Sequence, residues 1–209
     1  SAAAPEASPA KGGVVWLVLF FAGLLILPVL AMSGGEVTKI VDGFYRAGSL
    51  VFGGGHVVLP LLDAFTVGRG WIEPDVFLAG YGAAQALPGP LFAFTAFLGS
   101  SVSVGPGGIG GGVIALVATY VPSLLLILGV LPYWNRLRAI PAAQAALRGA
   151  NAVVVGLLAA ALVNPIGLHA LTDPIRWIFA AVAFAALQFT KFPVWALVGV
   201  GALGGFVLF

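Results

Sequence analysis

The sequence predicts an all-α, polytopic membrane protein, and three observations carry that expectation. Hydrophobic residues make up 61% of the chain and charged residues only 8%, where soluble domains hold about a quarter charged. Apolar stretches close to the ~20 residues that a bilayer core demands recur along it. Two glycine- and proline-rich interruptions, Phe52-Gly53-Gly54-Gly55-His56 and Leu87-Pro88-Gly89-Pro90-Leu91, carry apolar flanks on both sides. In hydrocarbon, irregular backbone survives only where protein buries it or where it lines a cavity, because lipid offers no hydrogen-bond partner. Paired broken helices of this kind point to a transporter's binding site.

Taken in order, residues 1–13 are rich in Ala, Pro, Ser and Gly and read as a flexible linker or processed end; residues 14–209 form the membrane domain. Val14–Met32 is a spanning segment that Pro28 can kink. Glu36–Val51 is amphipathic, with Val37, Ile40, Val41, Phe44 and Val51 on one face, and Glu36 suits the positive end of its dipole. After the glycine break, His56–Val67 is short. Asp75 is expected to cap a helix that runs to about Leu87. Pro88-Gly89-Pro90 stops it, and Leu91–Val104 resumes. Gly80, Gly82, Ala83, Ala84 and Ala86 offer small surfaces for close helix contact in lipid.

Gly105–Gly112 is a glycine-rich turn, Val113–Leu131 spans again with Pro122 inside, and Tyr133–Gly149 is polar. Ala150–Leu168 spans with Asn164-Pro165 inside it. Trp177–Thr190 and Val194–Phe209 make a closely joined pair. Each broken segment is expected to enter and leave on one face, since more than ~30 residues exceed what one crossing needs. Lys11, Arg136, Arg138, Arg148 and Lys191 then share a side, which the positive-inside rule makes cytoplasmic.

Composition also excludes. The net charge of +2 is too small to argue for nucleic acid. Cysteine is absent, so no disulfide, thiolate metal site or cysteine nucleophile exists. Two distant histidines make a poor metal centre, no nucleotide-binding loop occurs, and no catalytic pair is visible. Neither cofactor nor enzymatic activity is expected.

The chemistry is expected at the breaks. A helix that restarts after a break presents unpaired backbone N–H groups and a positive dipole end, which attract anions. Gly53, Gly54 and Gly55 leading into His56 form one such start, and Pro88, Gly89 and Pro90 leading into Leu91 form another. Two facing starts would cradle an oxyanion without a charged side chain; plain tight packing is the competing reading of the glycines. Arg46, in an apolar segment, could add field at the site or simply pair with Asp42 at i−4. His56 could donate to the anion or carry a proton, or cap the break. Gln85 could contact substrate or bond to a neighbouring helix. Asp63 reads as interfacial, and Trp71, Trp134, Trp177 and Trp195 suit the interfacial belt.

Several stretches resemble the chromate ion transporter family: Phe44-Tyr45-Arg46-Ala47-Gly48, the triple-glycine run through Pro60, Phe77 to Gln85 running into Pro88-Gly89-Pro90, Tyr133 to Arg138, and Asn151 to Leu157. The likeness is greatest to the C-terminal half of long two-domain members. It implies one half of an inverted-repeat transporter, located in the bacterial inner membrane and exporting chromate, with sulfate as a similar oxyanion. It implies a partner too, either a homologous N-terminal half or a second copy, and the linker-like start favours a piece of a longer protein. A sulfate carrier is the alternative within transport. A non-transporting scaffold subunit is the alternative outside it, and single cysteines at Val57 and Ala93, unreactive in every state, would favour that reading.

Overall fold

The computed structural model describes residues 11–51, 58–87, 89–163, 174–190 and 193–208. Its described residues are helical, without a strand. Helix α1 runs Lys11–Ser33, α2 Glu36–Leu50, α3 Val58–Thr66 and α4 Pro74–Ala86. A 3₁₀ turn at Leu91–Ala93 leads into α5, Phe94–Ser101, and α6 follows over Gly108–Val130. Another 3₁₀ turn, Leu131–Tyr133, precedes α7, Trp134–Leu137; α8 is Pro141–Ala161, α9 Pro174–Phe189 and α10 Val194–Leu208. Three stretches among the described residues are long and apolar enough to cross a membrane: Gly12–Ser33, Gly108–Leu137 and Pro141–Ala160.

Two details correct the sequence expectation. Pro74 takes the first helical position of α4 and Glu73 the N-cap, because proline's missing N–H costs nothing there. Asp75 therefore sits inside the first turn, where its charge still favours the dipole's positive end. Helix α8 begins at Pro141, nine residues ahead of the expected spanning segment. Its first turns are rich in alanine, the strongest helix former, and this outweighs Gln144 and Arg148.

Helix α6 is the axis on which α1, α2 and α5 pack, and small residues set the approach. A methyl group at Gly48 of α2 would overlap the Thr119 carbonyl of α6, and one at Gly99 of α5 would overlap Gly111 and Ala115. With no hydrophobic force to join helices in lipid, such backbone-to-backbone packing is what holds them. Phe77 and Phe94 pack edge to face, with ring centroids 5.2 Å apart, and join α4 to α5. Gly80 receives the Phe97 ring, whereas no atom lies within 4 Å of a methyl group placed at Gly82. Of these two small positions, only Gly80 is a packing surface.

Hydroxyls within the bundle are satisfied locally. Ser49 donates to the Tyr45 carbonyl at 2.7 Å, Thr66 to Leu62 at 2.6 Å and Thr119 to Ala115 at 2.8 Å, a pattern that hides polarity within a helix's own backbone. Tyr45 donates across to the Phe20 carbonyl of α1 at 3.0 Å. Tyr45→Phe should lower stability by about 1 kcal/mol, seen as a small fall in detergent melting temperature.

Candidate functional site

The end of α2, ahead of the first interruption, and the restart after the second reach one depth. Thr119 is the twelfth of the 23 residues of α6, hence its midpoint, and Gly48 lies against it two residues before α2 ends. On the other interruption, Phe92 packs edge to face on Tyr120 with ring centroids 5.8 Å apart. The end of α2 and the start of the α5 segment thus stand level with the middle of α6. At 1.5 Å per residue, α6 is about 34 Å long, so that level is about 17 Å from either end.

The outer ends of the broken segments meet elsewhere. Gly105 N–H donates to the Glu36 carboxylate at 2.6 Å, joining the start of α2 to the turn after α5. Ser103 donates to the Trp71 carbonyl through both its backbone N–H and its hydroxyl, each at 3.0 Å. The beginning of α2, the α3–α4 turn and the α5–α6 turn therefore cluster at the N-terminal end of α6. Helix α2 rises from that cluster to mid-height and α5 returns to it from there, while α3 packs on α2 and α4 on α5. At the opposite end, Gly13 of α1 lies against Tyr133 and Gly129, which sets Lys11 near the Arg136–Arg138 turn.

Of the expected site residues, Gly53, Gly54, Gly55, His56 and Pro88 lie outside the described residues. Gly89 and Pro90 are exposed, and a methyl group at Gly89 would meet no atom within 4 Å. Pro90 occupies the N-cap of the Leu91–Ala93 turn, and its carbonyl accepts from Ala93 N–H at 3.0 Å. The restart is thus 3₁₀ before it becomes α-helical, a tighter winding common at helix starts. Gln85 shares a side-chain hydrogen bond with Tyr81, one turn back on α4. Arg46 donates through Nε to Asp42 Oδ1 at 2.8 Å; the Arg46 side chain is 34% exposed and that of Asp42 only 4%. The i−4 pair with Asp42 that the sequence offered is present.

Arg46 also faces a cavity of about 320 Å³ shared with Lys39, Asp42 and Arg69. Lys39 and Arg69 had no place in the expected site. For Lys39 the signal was available, since positions 39, 42 and 46 fall along one helix face. Arg69 arrives only through the fold: its guanidinium lies 5.2 Å from the Phe65 ring centroid and 5.2 Å from that of Trp71. No group of His, Asp and Glu residues suited to a metal ion occurs among the described residues.

An all-helical polytopic membrane protein is the class that these features define. The chain belongs to the chromate transporter family, whose description, Chromate transporter, matches residues 38–206. It is 30% identical over 192 residues to a chromate transport protein of Pseudomonas aeruginosa, covering 88% of this chain and 44% of that protein. To a probable chromate transport protein of Synechococcus elongatus it is 28% identical over 168 residues, covering 78% of this chain and 42% of the relative. An uncharacterized transporter of Bacillus subtilis is 31% identical over 172 residues, covering 79% of this chain and 93% of the relative. The chain thus spans less than half the length of the two proteins named for chromate transport, and nearly the whole length of the Bacillus one. No solved structure matches it.

Proposed function

We propose that residues 14–209 are the transport domain of a chromate exporter in the bacterial inner membrane. The observation that carries this reading is the common level, at the middle of α6, of the end of α2 and the start of the α5 segment. If α6 crosses the bilayer, both hairpins are re-entrant and their tips reach the midplane, where backbone amides released by the breaks can hold a tetrahedral dianion. The groups assigned to it are the amides at Gly53–Gly55 and Pro88–Pro90, the field of Arg46, and a hydrogen bond from His56 or Gln85. The end bearing Lys11 and Arg136–Arg148 is then cytoplasmic.

An inside-negative potential of 100 mV favours outward movement of a dianion by about 4.6 kcal/mol. Exchange against protons is the coupled, antiport form of the same export. A homologous N-terminal half, or a second copy, completes the pathway. Backbone amides read charge and shape, so sulfate should compete, and stronger uptake of sulfate than chromate into vesicles would make this an oxyanion carrier of wider use.

The deciding experiment is Gly89→Val. Because the space beside Gly89 is open, the variant should insert and purify normally, yet chromate transport in vesicles should fall at least tenfold. Undiminished transport in a normally inserted variant would remove the breaks from the site.

A further inference from the structure

We propose that the cavity among the C-terminal end of α1, one face of α2 and the α3–α4 turn is a second oxyanion-binding station, lying between bulk water and the hairpin tips. Three cations, Lys39, Arg46 and Arg69, and one carboxylate, Asp42, line it beside Ala31 and Met32. Their formal sum, three positive charges against one negative, complements a dianion. An ion pair serving structure alone needs one cation per carboxylate. Here two further positive charges converge on the space, a repulsive arrangement that an incoming anion relieves.

Met32, Lys39 and Arg69 are exposed, so the cavity opens to solvent and an anion can reach it. Among the described residues, Arg46 spends only its Nε on a hydrogen bond, to Asp42, while its side chain lines the cavity. The Arg69 guanidinium lies 5.2 Å from the centroids of the Phe65 and Trp71 rings, contacts that favour this placement of its charge. At about 320 Å³ the space is roughly ten times the share of one water molecule, enough for a tetrahedral oxyanion with part of its hydration shell. Arg69 belongs to the α3–α4 turn and Lys39 to the first turn of α2, which places the cavity on the side of the end where the hairpins are fastened. The assignment rests on an oxyanion as the cargo but not on the breaks as its central site.

Since the chain has no cysteine, Met32→Cys in the complete protein places a single thiol at the exposed rim of this cavity. At low salt an anionic thiol reagent should modify it about tenfold faster than a neutral reagent of equal size. Sulfate should slow that reaction severalfold, and chloride at matched ionic strength should not. Adding Lys39→Gln or Arg69→Gln, both at exposed side chains, should abolish the charge preference and the sulfate protection without altering the elution profile. Equal reaction of the two reagents, or equal protection by chloride and sulfate, would overturn the station. The two readings fail separately. Sulfate protection that persists alongside normal transport in Gly89→Val would refute the breaks and keep the station, whereas lost transport in Gly89→Val without sulfate protection would do the reverse.

Discussion

Gly48→Val should prevent assembly of the bundle, leaving protein that aggregates in detergent and moves no chromate. The substituted side chain meets the Thr119 carbonyl of α6, and a helix backbone cannot swing aside as a side chain can. Overpacking at a well-fitted site costs about 1–3 kcal/mol and sometimes more. The fixed carbonyl puts this case at the upper end or beyond. Even Gly48→Ala should be visibly damaging. Gly82→Ala supplies the contrast, since that position is open and should accept a methyl group with no loss of monodispersity. A normal elution profile for Gly48→Val would mean that α2 does not cross α6 at Thr119.

Arg46→Gln should abolish transport and also weaken the fold. Asp42, with only 4% of its side chain exposed, would lose the guanidinium 2.8 Å away. Stranding one member of a buried pair costs about 3–5 kcal/mol, and the partial exposure of Arg46 places this example near the lower figure. Adding Asp42→Asn removes the stranded charge and should restore the melting temperature. Transport should stay lost in the double variant if the charge of Arg46 acts on the anion. Recovery of transport together with stability would reduce Arg46 to a structural partner.

The parts of the fold legible in the sequence are those where one local property decides. Helices α1 and α6 are apolar all round for more than twenty residues, a pattern that only a core or a bilayer accommodates. The interruptions were equally plain, because glycine and proline end a helix whatever surrounds them. The first turns of α8 were hidden by Gln144 and Arg148, polar residues that alanine-rich neighbours carry into the helix. Which glycine serves packing could not be read locally: Gly80 and Gly82 look alike in sequence, and only the Phe97 ring distinguishes them. The same holds for the basic cavity. Lys39, Asp42 and Arg46 line up by helical spacing, while Arg69 joins them through a turn more than twenty residues further on. The shared depth of the α2 end and the α5 start is a tertiary property altogether, set by the contacts at Thr119 and Tyr120.

The Glu36–Gly105 and Trp71–Ser103 hydrogen bonds bind the roots of both hairpins into a single collar. A collar of this kind resists spreading, so the bundle is poorly built to open by splitting apart at that rim. Lesions in the collar should accordingly appear as defects of assembly.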